Sequence, residues 1–231
     1  MLKQTHNKLI KVGIAAVIFL FVAFFGINKY CFQDFLYFIK SPVKIDNLVI
    51  DKDMDRDGIL DLKDIVEGAR REAENKTKYL SQYYEGGYPP DEEGVCTDVV
   101  IRALKNAGYN LKKAMDADIK SNPQLYQNID KPDPNIDFRR VKNQFAFFSN
   151  NTIALTTKVK PFNKENMSEW QNGDIVVLKK ADHVAIISDK RRKDGVPYVI
   201  HNSYPYAKEN DRLMRWCLQG RIIGHFRYVV K

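Results

Sequence analysis

At Cys96 an irregular stretch gives way abruptly to a helix that must be covered by a core. The run Gly86, Gly87, Tyr88, Pro89, Pro90, Asp91, Glu92, Glu93, Gly94 cannot hold regular structure and reads as loop. Beyond it Val99, Val100, Ala103, Leu104 and Ala107 recur at helical spacing, and Gly108 supplies the C-terminal stop. Cys96 is therefore expected in the first turn of a packed helix. There the partial positive charge of the helix end favours thiolate over thiol, which makes a cysteine nucleophilic near neutral pH. The bland alternative is a small buried side chain filling a gap.

The N-terminal end does not belong to that core. Val12 to Ile27 has no charged or strongly polar side chain and follows Lys3, Lys8 and Lys11. As a helix it spans about 24 Å, and Tyr30, Cys31 and Phe32 can carry it through the membrane interface. The basic flank assigns residues 1–11 to the cytoplasm and everything after the anchor, at 12–32, to the outside. Phe24 to Lys29 lacks the small-x-small pattern of a cleavage site, so an uncleaved single-pass anchor is preferred to a signal peptide. Without the three N-terminal lysines the formal charge of +8 falls to +5, enough to hold an exported domain near anionic wall polymers or headgroups. Scattered charge in that compartment argues against nucleic acid. With Cys31 at the membrane surface, only a Cys96–Cys217 bridge is plausible, and it would exclude a nucleophilic Cys96.

The segment from Asp53 to Asp64 has the spacing of a twelve-residue calcium loop. Asp53, Asp55, Asp57, Asp61 and Asp64 fall at positions 1, 3, 5, 9 and 12, Gly58 at 6, and the Ile59 carbonyl supplies the backbone ligand. Position 12 is Asp rather than Glu, and no helix enters the loop. The expected cofactor is structural Ca2+, with an acidic helix-capping turn as the alternative. A helix is expected from about Leu62 to Tyr79.

Nucleophilic cysteine chemistry needs a base and a group that orients it. Ile175–Leu178, His183–Ser188 and Tyr198–Asn202 read as successive strands separated by turns. His183 begins the second and His201 ends the third, so antiparallel pairing can bring both to one end of the sheet. His225, in the last strand, is a substitute for His201. Zinc on Cys96, His183 and His201 is a weaker reading, because metal ligands are usually closely paired in sequence.

The order Tyr84, Gly86, Gly87, Pro90, Cys96-Thr97, then Trp170, Gly173-Asp174-Ile175-Val176-Val177, then His183-Val184-Ala185-Ile186-Ile187 and Ile200-His201 resembles the NlpC/p60-type papain-like cysteine peptidases of bacterial cell walls. Within that group it is most similar to an exported bacterial family of unknown function. The resemblance covers residues 79–231. It implies an α+β papain-like fold, with helices on an antiparallel sheet, following a juxtamembrane segment at 33–78 that holds the calcium loop and first helix. It also implies Cys96 as nucleophile, His183 as general base, and His201 orienting that base with Asn202 in reserve. Tyr84 and the Cys96 N–H would bind the oxyanion. The family usually has Cys-Ser-Gly where this chain has Cys96-Thr97-Asp98. Asp98 would raise the thiol pKa or cap the helix.

Residues 110–161 are rich in Asn, Asp and Pro and are expected to wall a substrate cleft, with Phe138, Arg139 and Arg140 meeting an acidic substrate. The leading expectation is a hydrolase, a cysteine peptidase or amidase, cleaving amide bonds of peptidoglycan stem peptides. The alternatives are a non-catalytic calcium-stabilised wall-binding module and a thiol acyltransferase.

Overall fold

Runs of β-branched residues, bounded by Gly and Asp turns, build a sheet that is apolar on both faces. The computed structural model describes residues 37, 38, 40–179 and 182–228. Of the unit Met1–Ser41, Tyr37 and Phe38 are helical. The expected anchor at 12–32 lies outside the described residues. No helix among the described residues is long and apolar enough to cross a membrane.

The unit Pro42–Lys231 is a mixed α+β fold. Its order is α1 (Asp61–Glu74), β1 (Lys78–Tyr79), β2 (Glu93–Gly94), α2 (Cys96–Asn106), α3 (Leu111–Ser121), α4 (Val141–Asn151) and β3 (Ile153–Ala154), then α5 (Lys164–Glu169), β4 (Ile175–Leu178), β5 (Val184–Arg191), β6 (Pro197–Ser203), β7 (Tyr206–Asn210), α6 (Leu213–Leu218) and β8 (Ile222–Arg227). The eight strands form one sheet in the order β2-β1-β7-β6-β5-β4-β8-β3. All pairings are antiparallel except β1 with β2. Both outer strands are only two residues long.

Alternation along the strands sorts side chains into two cores. Ile175, Val177, Val184, Ile186, Ile200 and Phe226 face α1 and α2, which contribute Ile65, Val66, Ala69, Val99, Val100 and Leu104. Val176, Leu178, Ala185, Ile187 and Val199 face the opposite way, onto Met167, Trp170, Leu213 and Trp216. Because α1 packs in the first core, it belongs to the same unit as the segments after residue 79.

Two expectations are corrected. The first helix stops at Glu74, not near Tyr79, because Lys76 takes a positive φ of 51° and Lys78 and Tyr79 enter the sheet. Residues 110–161 are largely helical and feed the first core through Leu111, Met115, Phe138, Phe147 and Phe148. Spacing of Leu111, Met115 and Ile119 at every fourth position accounts for α3.

Helices α1 and α2 cross at Gly68. A Cβ there would lie 2.6 Å from Asn106 Cβ and 3.0 Å from Ala103 Cα. Gly68→Ala is expected to destabilise the fold by about 1–3 kcal/mol, outweighing the roughly 1 kcal/mol gained in helix propensity. The urea unfolding midpoint measures this, and an unchanged or higher midpoint would contradict so close a crossing.

Candidate active site

Cys96 is the first residue of α2, and its neighbours fix that helix start. The Asp98 carboxylate accepts the Val95 N–H at 2.7 Å, half of a capping box. The same carboxylate accepts two hydrogen bonds from Arg139, at 2.7 and 2.8 Å, with both side chains almost fully buried. The Thr97 hydroxyl donates to the Arg139 carbonyl at 2.8 Å. Thr97 and Asp98 thus dock the helix start onto the 3-10 turn at Asp137–Arg139. Removing one partner of a buried pair like this typically costs about 3–5 kcal/mol. Arg139 is consequently unavailable to a substrate, contrary to expectation. Phe138 is buried, and exposed Arg140 pairs with Asp137 at 3.7 Å.

The thiol is 6% exposed, and Cys96 and Cys217 are both free. Burial pushes the thiol up to about 11. The N–H of Val184 pulls the other way, the charge of Asp98 adds to the rise, and the N–H groups of Thr97 and Cys96 oppose it. At this helix end desolvation outweighs the dipole, so the depressed value expected from position alone is not found.

Val184 opens β5, and the residue before it is His183. The β5–β6 register pairs Ile186 with Ile200 and Ile187 with Val199. Continued toward the strand start, it sets His201 opposite Ala185, two residues from His183. His183 Nε2 lies 2.9 Å from His201 Nδ1, and His201 Nε2 lies 3.3 Å from Asn210 Oδ1. The Asn210 oxygen can only accept, so His201 Nε2 carries a proton and Nδ1 is the acceptor. His183 Nε2–H then donates, which leaves His183 Nδ1 with a free lone pair, the form a general base needs. Burial lowers His183 to about 4, with Asp182 opposing and Arg221 adding. Burial, followed by His183 itself, lowers His201 to about 3. Both imidazoles are neutral at pH 7. Trp216 packs on both, with ring centroids 5.7 and 5.3 Å away.

Cys96 belongs to the first core and the imidazoles lean on Trp216 of the second, so they approach the start of β5 from opposite faces. Among the described residues the sulfur makes no hydrogen bond to His183. The imidazoles open onto a cleft of about 450 Å³ that Lys208, Arg212, Arg215 and Arg221 also line.

The remaining expected residues lie elsewhere or are engaged. Tyr84 donates to Glu93 Oε1 at 2.6 Å, its ring 4.9 Å beneath the Arg139 guanidinium, and burial followed by Glu93 raises its phenol to about 12. Among the described residues Asn202 forms no hydrogen bond with His183. Its amide donates to the carbonyls of Thr77 and Gly94 and so braces the loop before Cys96. His225 is buried between Asp174, 3.0 Å from Nε2, and the Thr156 carbonyl, and it stacks on Trp170 at 3.8 Å. That network is a second-core anchor, completed by Arg227 on Asp174. Asn210 was not foreseen from sequence. Its place follows from the β6–β7 pairing, which sets it opposite Val199, and no local signal marks it.

In the acidic loop, Asp53, Asp55 and Asp57 bring carboxylate oxygens within 4.8 Å of one another. Asp53 accepts the N–H groups of Arg56, Asp57 and Gly58. Asp61 accepts hydrogen bonds on both oxygens, from the Met54 N–H and the Tyr109 hydroxyl. Asp64 Oδ2 is buried without a partner. Burial, then the charges of Asp57 and Asp55, raises Asp64 to about 6. The cluster of Asp53, Asp55 and Asp57 fits a hard cation, and Asp64 lies outside it.

A family model, "Domain of unknown function (DUF1287)", matches residues 66–228. The chain belongs to that family. It is also 39% identical over 178 residues to "Uncharacterized protein YijF" of Escherichia coli (strain K12), covering 72% of this chain and 82% of that protein. No solved structure matches. The matched span runs from α1 to the end of β8 and so contains Cys96, His183, His201 and Asn210.

Alkylation tests the burial of Cys96. Iodoacetamide is expected to label it slowly at pH 7, with the rate still climbing above pH 9 as the thiol approaches its raised pKa. A plateau below pH 8 would mean that the helix end dominates after all.

Proposed function

We propose that this DUF1287 chain is an exported thiol hydrolase of NlpC/p60 type, tethered by an anchor at 12–32 and cleaving amide bonds of peptidoglycan stem peptides. The observation that carries the reading is the His183–His201–Asn210 relay at the strand start, one residue from the backbone N–H beside Cys96. Because thiol and imidazole are both neutral at rest, the proton moves during attack rather than before it. The Cys96 S–H proton passes to His183 Nδ1 as sulfur bonds the carbonyl carbon, a transfer that requires the two side chains, which reach the start of β5 from opposite faces, to meet at the sheet's end. The oxyanion is held by the N–H groups of the α2 start, with Tyr84 joining once its hydroxyl leaves Glu93. His183 then gives the proton to the departing amine, and water, deprotonated by the same nitrogen, hydrolyses the thioester. His201 holds His183 in the required tautomer throughout.

A second reading is favoured by the buried thiol: a non-catalytic module that binds the wall through its positive charge. Hydrolysis of purified wall fragments separates the two. Cys96→Ala and His183→Ala are each expected to abolish release of cleaved peptides, with losses of about a thousandfold or more. If Cys96→Ala hydrolyses as fast as the parent protein, the enzymatic reading fails.

The acidic loop is assigned Ca2+ in a structural role, where it would neutralise the clustered carboxylates at the start of α1. Millimolar calcium is expected to raise the thermal midpoint, by about 2.7 kcal/mol of added stability at a hundredfold excess over Kd. Asp57→Asn should remove most of that shift and the calorimetric binding signal. Equal midpoints with calcium and with chelator would withdraw the site.

A further inference from the structure

The cleft beside the imidazoles has a marked charge imbalance. Lys208, Arg212, Arg215 and Arg221 line it against a single carboxylate among the described residues, Asp182, which is already tied to Arg221 at 3.4 Å. Lys208 spends one hydrogen bond on the Tyr204 carbonyl at 3.2 Å. Arg212 and Arg215 are exposed, and neither forms an ion pair with a carboxylate among the described residues. They stand on and just before α6, the helix whose Trp216 packs on both imidazoles. Planar guanidinium groups match a carboxylate in two-point fashion, and a ring of like charges in a concave site concentrates anions. The volume, about 450 Å³, accommodates a small peptide fragment.

Which part of a substrate enters follows from the two faces of the sheet. His183 lines the cleft and Cys96 does not. The portion lying in the cleft is therefore the one to which His183 hands a proton, the departing amine. We propose that the cleft selects substrates carrying a carboxylate on the leaving-amine side of the scissile amide, held by Arg212 and Arg215. This specificity rests on the thiol-hydrolase reading, but the anion-binding surface can be tested without turnover.

The experiment compares purified wall peptides with the same peptides after carbodiimide-driven conversion of their carboxylates to amides. The parent protein is expected to show a KM about tenfold higher for the amidated pool, with kcat within about twofold. In an Arg212→Ala/Arg215→Ala double variant that preference should fall to near unity. Both residues are exposed, so an unchanged thermal midpoint certifies the fold. In parallel, calorimetry on Cys96→Ala should detect binding of the acidic pool, weakened by added salt and by the two arginine substitutions. Equal KM for both pools in the parent protein, or a double variant that keeps the preference, would overturn the inference. Preferential displacement by inorganic phosphate, with no binding of acidic peptide to Cys96→Ala, would also overturn it. Absence of all turnover with arginine-dependent binding of the acidic pool would instead remove the hydrolase and leave the anion cleft in place.

Discussion

The β5–β6 register is the constraint on which the candidate site rests. Ile186 opposite Ile200 and Ile187 opposite Val199 place His201 diagonally across from His183, within reach of a ring-to-ring hydrogen bond. Strand side chains alternate with a period of two, so a slip of one residue would turn His201 into the first core and Ile200 onto the cleft. The slip is resisted by the same residues that make it harmful. Ile186 and Ile200 are fully buried against α1 and α2, while Ile187 and Val199 are buried against the other layer.

On the other side of the sheet the constraint is electrostatic. The Asp98 carboxylate accepts the Val95 N–H just before α2 and is itself held by Arg139, so the helix start that carries the sulfur is fixed. That carboxylate is one reason the thiol stays protonated, although burial is the larger one.

Much of this was legible in the chain because two signals are local. Apolar, β-branched runs bounded by turns at Ile175–Leu178 and Tyr198–Asn202 give strands, and the Cys96–Ala107 spacing gives α2. The family assignment accords with a family of unknown function, as the motifs suggest. What sequence reading missed is non-local. Arg139 looked like a substrate contact until its partner, 41 residues earlier in the chain, was found beside it. Residues 110–161 carry loop-forming Asn and Pro between two helices, and punctuation obscured the helical stretches. Asn210 takes its meaning only from hairpin pairing with β6.

The sheet ends in strands of two residues on both sides, Glu93–Gly94 and Ile153–Ala154. Backbone donors and acceptors left unpaired on a longer border would recruit neighbouring molecules into a continuous ladder. Strands this short offer a neighbouring molecule almost no ladder to extend at either end, so a densely aliphatic sheet need not template fibrous self-association there.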